Sequence, residues 1–394
     1  MTTNTFYTLC CLIILTAACK NASKEPLNAL VKEEKIVAYA DRFSDLLNYP
    51  VDAVAFPRSA DSSGQIKKVP SKDWTSGFFP GSLYMIYQLT EDKKYLNRAK
   101  EWTALVEDQK FNDKTHDMGF KIFCSFGNGY RLEKDSTYKA IIIHSAKTLG
   151  TRYNKTVGAT RSWDFNKEQW QFPVIVDNMM NLELLFEATN YSGDSTYYKM
   201  ADQHAKTTLK NHFRTNHSIY HVVDYDTIRG NVRMKVTHQG FNDESTWARG
   251  QGWGIYGYTM SYRYTKNPAF LEQAKNTADF FMNHPNLPED GIPYWDFDAP
   301  KIPNEPRDAS AGALVASALI ELYQYTKEQK YLDFSDKIMN ALSSSAYVLQ
   351  KNTTIPFILD HATGNWPKND EIDGPLNYAD YYFLEALVRR KNLQ

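Results

Sequence analysis

The residues best suited to chemistry lie in the segment 238–253, which reads HQGFNDESTWARGQGW. Amide, guanidinium and indole groups alternate there with glycines, a composition that suits the binding of a flat, polar, anionic ring better than a buried core. The Arg249 guanidinium offers a planar fork of donors that matches a carboxylate, and the Gln239 amide can both donate and accept. The Trp253 indole offers a rigid apolar face. The competing interpretation is a structural turn in which Arg249 caps backbone carbonyls.

Two aspartates are candidates for acid–base chemistry. Asp117 is flanked by His116 and followed closely by a glycine, and Asp177 follows the apolar run 172–176. Each aspartate taken alone is more simply a helix N-cap. Two carboxylates that face each other in a cleft with little water cannot both ionise easily, so one would keep its proton near neutral pH. The pair therefore predicts an acid-assisted reaction, and its spacing alone does not separate glycoside hydrolysis by two carboxylates from other acid-assisted chemistry.

A repeated pattern of paired helices must position these groups. An apolar helix, a short turn and a more charged helix with a one-sided apolar stripe follow one another several times. The apolar members are predicted at 77–90, 177–189, 252–265 and 311–326, and further helices near 31–48, 118–129, 135–152 and 376–391. About twelve helices are expected, enough for six helical hairpins. The predicted fold is all-α, an (α/α)6 barrel, and the apolar last helix favours a closed ring over an open solenoid.

In such a ring the loops that enter the inner helices gather at one end. The helix N-termini there point towards the centre and favour anions through their free N–H groups and the helix dipole. The candidate residues named above fall in these loops, so we expect the site at this end.

Six motifs in the same order resemble the unsaturated glucuronyl hydrolases, glycoside hydrolase family 88. They are residues 73–81, 116–120, 176–181, 237–240, 247–253 and 377–383. The resemblance implies the six-hairpin glycosidase fold and an unusual reaction on oligosaccharides left by polysaccharide lyases. The non-reducing end of these substrates is a 4,5-unsaturated uronic acid. A carboxylic acid protonates C4, water adds at C5, and the resulting hemiketal opens and expels the neighbouring sugar.

The resemblance also assigns roles to individual residues. It implies that Asp177 is the general acid and base and that Asp117 is the assisting carboxylate. The residues implied to hold the unsaturated ring and its carboxylate are His221, Gln239, Arg249 and Trp253, and those implied to line the pocket are Trp74, His116 and Trp163. Lys368, in the loop 362–371, is a candidate contact for a sulfate on the leaving sugar. No cofactor or metal is required, because a carboxylic acid and water suffice.

Charge and the N-terminal sequence limit the partners. The 45 basic and 46 acidic residues give a net charge of −1, which argues against long-range attraction to nucleic acid. Residues 1–18 are predicted to be a lipoprotein-type signal peptide, with Cys19 lipidated, 19–30 a tether and 31–394 a single catalytic domain. The protein is then exported to the periplasm or outer membrane and meets the membrane only through that lipid. The alternative is a plain cleaved signal peptide, which also implies export. Cys124 is the only cysteine of the predicted catalytic domain, so no disulfide is expected there.

Three other functions fit parts of the pattern. An unsaturated rhamnogalacturonyl hydrolase would use the same ring and the same chemistry. A non-catalytic glycan-binding lipoprotein would need the tryptophans and Arg249 but not Asp177. A polysaccharide lyase on an α/α ring would create the alkene and would need a tyrosine or histidine base.

Overall fold

The computed structural model describes residues 32–61, 63–349 and 357–393. The predicted signal peptide, Cys19 and the predicted tether lie outside the described residues. Within the described part of the chain, no helix is both long enough and apolar enough to cross a bilayer.

Helices of the described residues alternate between an outer and an inner position. The outer helices are α1 (Glu33–Leu47), α3 (Lys93–Ala104), α5 (Ser136–Gly150), α7 (Ser195–Asn211), α9 (Pro268–Met282) and α11 (Gln329–Leu342). The inner helices are α2 (Phe78–Thr90), α4 (Asn128–Glu133), α6 (Asn178–Ser192), α8 (Ala248–Thr265), α10 (Ala309–Thr326) and α12 (Asn377–Lys391), and a π-helical segment (Gly119–Gly127) leads into α4. Each inner element contacts the next, and α12 returns to α2. The ring is therefore closed, and the predicted all-α (α/α)6 barrel is confirmed.

The distribution of apolar residues explains which helices are inside. Every residue of α10 from 309 to 322 is buried, as expected for a helix that is apolar on all sides. In α11, by contrast, the buried positions form one stripe that includes Tyr331, Ile338 and Leu342. The outer helices thus cover the inner ring with one face and meet solvent with the other.

Short turns join each inner helix to the outer helix that follows it. The outer helices α3, α5 and α7 are each preceded by an N-cap aspartate, whose carboxylate accepts a hydrogen bond from the backbone N–H two residues later. These residues are Asp92, Asp135 and Asp194. The preceding inner helices end in residues with left-handed φ, among them Glu91, Lys134 and Gly193. These turns place the hairpin ends at the end of the ring opposite to the candidate residues.

The segment 118–129 departs from the regular helix predicted for it. It is π-helical over Gly119–Gly127, and the Phe120 N–H donates to Oδ1 of Asn181 at 3.1 Å. Neighbouring backbones approach closely here: a Cβ added to Gly77 would lie 2.1 Å from the carbonyl oxygen of Phe120. The contact with Asn181 and the tight packing against α2 account for the widened turn.

Three small sheets lie in the loops of the part of the chain that the structure describes, and the helical pattern does not predict them. One pairs β1 (Phe56–Ala60) with β2 (Ile66–Val69), and a second pairs β3 (Tyr153–Asn154) with β4 (Ala159–Thr160). The third is antiparallel, in the order β5 (Pro173–Ile175), β6 (Val222–Tyr225) and β7 (Val232–Val236). This third sheet directly adjoins several of the candidate site residues.

Candidate active site

The three-stranded sheet brings Asp177 and His221 together. Strand β5 ends two residues before Asp177, and β6 begins one residue after His221, with Ile175 paired to Val222. The N–H of Val176 donates to the carbonyl oxygen of His221 at 3.0 Å. As a result, Oδ2 of Asp177 and Nε2 of His221 lie 3.7 Å apart, although they are 44 positions apart in the chain.

His221 is held as a neutral ring in one tautomer. The backbone N–H groups of His238 and Gln239, which follow β7, donate to its Nδ1 at 3.1 and 3.2 Å. Because Nδ1 accepts, the ring hydrogen must be on Nε2, which faces Asp177. Burial lowers the pKa of His221 well below its ordinary value, with the charge of His238 acting in the same direction. His221 is therefore a hydrogen-bond donor at this position and not an acid.

Asp177 has the properties of a catalytic acid. Burial raises the pKa of its carboxyl group to about 7; the positive charge of Arg249 opposes this shift and the negative charge of Asp117 adds to it. Although Asp177 precedes α6, its side chain makes no capping hydrogen bond, and its Oδ2 has no hydrogen-bond partner among the described residues. The side chain keeps 13% of its surface exposed. The simple N-cap interpretation therefore fails for Asp177.

Asp117 belongs to a hydrogen-bonded group on the facing loop. Its Oδ2 accepts from the Thr115 hydroxyl at 2.7 Å, and its Oδ1 lies 3.1 Å from Nε2 of His116. Nδ1 of His116 lies 2.8 Å from the carbonyl oxygen of Ser162 and must donate to it, and burial lowers the pKa of this histidine. A neutral ring then turns the Nε2 lone pair to Asp117. His116 Nε2 has no hydrogen-bond partner among the described residues.

Arg249 is buried and bound mainly by the protein itself. Its Nη1 donates to Oδ2 of Asp308 and to the carbonyl oxygen of Thr363, both at 2.6 Å, and its Nη2 donates to the carbonyl oxygen of Gly364 at 2.5 Å. These bonds match the structural interpretation, in which Arg249 caps carbonyls. Its charge nevertheless acts on the pKa of Asp177. Contact between its remaining N–H groups and a uronate carboxylate stays a prediction.

Two of the predicted tryptophans pack against the same phenylalanine. The centroid of Trp253, on α8, lies 5.3 Å from that of Phe120, and the centroid of Trp74 lies 5.5 Å from it. Trp253 is 1% exposed and also contacts Tyr382, while Trp74 is half-buried and contacts Tyr378. These aromatic rings form an apolar wall around the centre of the ring of inner helices.

The remaining predicted residues lie along a rim. Trp163 is 5.4 Å from His238, ring to ring, and Gln239 donates to the carbonyl oxygen of Gly364 at 3.3 Å. The pKa of His238 is lowered by burial and then by the positive charge of Lys368, so Lys368 lies on the same side. The structure thus groups the sequence-predicted residues into a centre, an apolar wall and a rim.

Lys121 is a residue that sequence reasoning missed. It is the one lysine that is buried among the described residues, and its Nζ lies 3.4 Å from the Lys72 carbonyl oxygen and from Oε1 of Gln109. Burial lowers its pKa to about 8, against the opposing charges of Asp117 and Asp73. Its signal in the sequence is a single charge within the apolar run 118–126. Lys121 therefore places a buried ammonium group near Asp117 and Asp73.

Comparisons with known proteins agree with one another. The family model of Glycosyl Hydrolase Family 88 matches residues 54–287. An unsaturated glucuronyl hydrolase from Formosa agariphila is 59% identical over 389 residues, covering 97% of this chain and 96% of that protein. One from Bacillus sp. strain GL1 is 33% identical, covering 85% of this chain and 90% of that protein. A crystal structure of an unsaturated glucuronyl hydrolase specific for heparin superposes with a TM-score of 0.90 at 45% identity, covering 93% of this chain and 98% of the other.

Proposed function

The chain belongs to glycoside hydrolase family 88 and is an enzyme of the unsaturated glucuronyl hydrolase type, and we propose that Asp177 starts its reaction. The enzyme removes the unsaturated uronic acid from the non-reducing end of lyase-generated oligosaccharides. The observation that carries the assignment of Asp177 is its buried, uncapped carboxyl group, whose pKa is raised to about 7, beside the neutral Nε2–H of His221.

The reaction uses the proton of Asp177 first. That proton goes to C4 of the enol ether, and positive charge develops at C5 and the ring oxygen. Water adds at C5 and returns a proton to the Asp177 carboxylate, which leaves a hemiketal. The C5–O5 bond then breaks to give a ketone at C5, and the hydroxyl freed on C1 collapses to an aldehyde as the bond to the neighbouring sugar breaks. Asp177 acts in turn as acid and base, because the carboxylate left by the first proton transfer can accept a proton from the attacking water.

Asp117 and His221 support this step in different ways. The negative charge of Asp117 raises the pKa of Asp177 and also stabilises positive charge that develops on the substrate. The Nε2–H of His221 can donate to a substrate oxygen near Asp177, because both backbone donors to its Nδ1 fix the ring. His116 positions Asp117, with which it is in contact.

The activity should fall as the pH rises above about 7. Only the protonated form of Asp177 can deliver the proton, so kcat should decrease about tenfold for each pH unit well above its pKa. In the Asp117→Asn variant the residual activity should decline from a lower pH, because the like charge that raises the pKa of Asp177 is gone. A pH series of kcat on one unsaturated disaccharide measures both effects. Activity that stays constant to pH 9 would contradict the assignment of Asp177 as the acid.

The substrates are proposed to be acidic oligosaccharides of the glycosaminoglycan type. The heparin-specific enzyme is 45% identical in structure-based comparison, and a Bacillus sp. GL1 structure is described as responsible for the degradation of glycosaminoglycan. The test is a panel of unsaturated disaccharides from heparin, chondroitin and hyaluronan, followed through the ultraviolet band of the conjugated alkene. Loss of the band on the heparin disaccharide ahead of the others supports a heparin-type substrate. An unchanged band on every disaccharide would contradict the proposed substrate class.

Lys368 is proposed to contact a sulfate on the leaving sugar. It is exposed on the rim, and its charge reaches His238. The Lys368→Ala variant should lose roughly two- to fivefold in kcat/KM on sulfated disaccharides, because an exposed charge pair contributes little more than this. Unsulfated disaccharides should be hydrolysed as before. Equal losses on the two kinds of disaccharide would remove the sulfate contact.

The comparisons favour the glucuronyl hydrolase over the alternatives considered from the sequence. The relatives reported above are glucuronyl hydrolases and neither rhamnogalacturonyl hydrolases nor lyases. A non-catalytic binding protein has no need for an uncapped carboxyl group whose pKa burial raises to about 7.

Export through a lipoprotein-type signal is part of the same proposal. The apolar run 6–18 followed by Cys19 supports it. Metabolic labelling with a fatty acid should label the full-length protein and not its Cys19→Ala variant. Equal labelling of the two, or none, would contradict a lipid on Cys19.

A further inference from the structure

The segment 161–167 presents an exposed aromatic ring at the rim of the site. Phe165 is 47% exposed, and its ring stacks on Trp163 with centroids 5.1 Å apart and 9° between the planes. The His238 ring lies 6.1 Å from Phe165. One side of the Phe165 ring therefore stacks on Trp163, and the ring presents a flat apolar surface to solvent at the rim. Such a face suits the C–H side of a sugar ring.

The same segment also lines a cleft of about 590 Å³, a size within the range of small-molecule sites, roughly 300–1,000 Å³. The charged residues that line it are Lys114, Arg152, Arg161, Lys167, Asp113 and Asp164. Four cations less two carboxylates leave this cleft with a charge of +2, whereas the whole chain has −1. The cleft therefore favours an anion.

The two arginines of the cleft share one carboxylate. Nη1 of Arg152 donates to Asp164 at 2.8 Å, and Nη1 of Arg161 donates to the other oxygen of Asp164 at 3.1 Å. Nη2 of the buried Arg152 and Nε of Arg161 have no hydrogen-bond partner among the described residues. The Arg161 side chain is 35% exposed and lies over the ring of Phe172. Two fixed guanidiniums that share one carboxylate keep a net positive charge.

We propose that the ring of Phe165 and this basic cleft form a distal subsite for an acidic sugar of a longer oligosaccharide. The occupant is a sugar beyond the one that leaves with bond cleavage, and it carries a sulfate or carboxylate group. The Cα atoms of Phe165 and Lys167 are two residues apart and so at most about 7 Å from each other. A sugar stacked on Phe165 can therefore direct an acidic group to Lys167 and Arg161. This subsite rests on the proposed function.

The subsite predicts a dependence on substrate length. The test uses an unsaturated disaccharide and an unsaturated tetrasaccharide purified from one heparin lyase digest. Phe165→Ala and Lys167→Gln should each raise KM for the tetrasaccharide by roughly three- to tenfold and leave the kinetics on the disaccharide unchanged. The effect of Lys167→Gln should shrink as salt is added. Phe111→Ala is the matched control, because Phe111 is 61% exposed and also contacts a histidine, His144, edge to face, but lines neither the rim nor the cleft.

Two kinetic results would overturn the subsite. The first is an unchanged KM for the tetrasaccharide in both Phe165→Ala and Lys167→Gln. The second is an equal change of KM for the disaccharide and the tetrasaccharide, which would mean only that Phe165 supports Trp163. Failure of the proposed function looks different, because the wild-type protein would then hydrolyse neither substrate. Calorimetric binding of the tetrasaccharide to wild type and Phe165→Ala decides the subsite in that case: a weaker Kd in the variant supports it, and an equal Kd overturns it.

Discussion

Asp177→Asn is expected to lower kcat on an unsaturated disaccharide by roughly a thousandfold or more, because the reaction loses the group that protonates C4. The amide has nearly the shape of the carboxyl group but no acidic proton. KM should change little, since Asp177 makes no capping or packing contact that holds the rim. The loss is measured from the ultraviolet band of the alkene under single-turnover conditions.

A matched control separates this effect from the loss of any buried carboxyl group. Burial also raises the pKa of Asp380 to about 7, but its oxygens accept from the backbone N–H groups of Ile358 and Leu359. Asp380→Asn should therefore change stability and leave kcat nearly as it is. If Asp177→Asn kept a tenth or more of the wild-type kcat, the proton would have to come from another group.

Asp177→Asn should lower activity but raise the free energy of unfolding relative to wild type as the pH rises. The pKa of Asp177 rises from an unfolded value of about 3.9 to about 7 in the folded protein. The folded state thus binds the proton more tightly, and this contribution to stability is complete below pH ~4 and is lost as the pH rises to ~7. Asparagine has no such loss. Relative to wild type, the variant should gain up to about 4 kcal/mol between pH 4 and 8, measured by urea unfolding.

If the stability difference between the variant and wild type did not depend on pH, burial would not raise the pKa of Asp177. Asp177 would then be ionised near neutral pH and would not be the resting proton donor. Burial of the Asp177 carboxyl group thus lowers folding stability near neutral pH, and in return it supplies a proton donor at that pH.

The helices could be predicted from the sequence because their information is local. An apolar stripe or a fully apolar run of twelve or more residues is visible in one window, and α10 and α11 show the two kinds clearly. The sheet of β5, β6 and β7 could not be predicted in this way. Its strands are only three to five residues long, and the pairing of β5 with β6 joins segments about fifty residues apart.

The features of the site also differ in whether they depend on local sequence or on distant residues. Asp117 and Asp177 were visible as carboxylates beside glycines and apolar runs. The tautomer of His221 was not, because it depends on backbone N–H groups 17 and 18 positions away. The partners of Arg249 are still further along the chain, with Asp308 at 59 positions and Gly364 at 115. Residue type therefore indicated the reaction, whereas the protonation states required the folded chain.

Arg249 poses the sharpest choice between a structural and a functional interpretation. It and Asp308 are almost completely buried, and its guanidinium ties the start of α10 to the loop that contains Thr363 and Gly364. Arg249→Met would leave the Asp308 carboxylate and two carbonyl groups without this donor. A loss of about 3–5 kcal/mol is expected for removing one partner of a buried ion pair. For a chain of this size, that corresponds to a decrease in Tm of about 4–6 °C.

Arg390→Met is the matched control for that loss. Arg390 is also 2% exposed and donates two hydrogen bonds to Asp336, at 2.8 and 2.9 Å, near the end of α12. Both variants should unfold at lower temperature. Only Arg249→Met should also lose kcat/KM on an unsaturated disaccharide at a temperature where both are folded, by about a hundredfold, because a uronate carboxylate would lose a charged partner.

The pH profile of Arg249→Met then separates the two ways in which the guanidinium can act. Its positive charge lowers the pKa of Asp177. Removing that charge should move the decline of activity to higher pH, whether or not Arg249 touches the substrate. A raised KM shows direct contact with the uronate, whereas a shifted profile with unchanged KM assigns Arg249 to tuning the acid. If kcat, KM and the profile all matched those of Arg390→Met, Arg249 would be a structural residue and the uronate carboxylate would be bound by other donors.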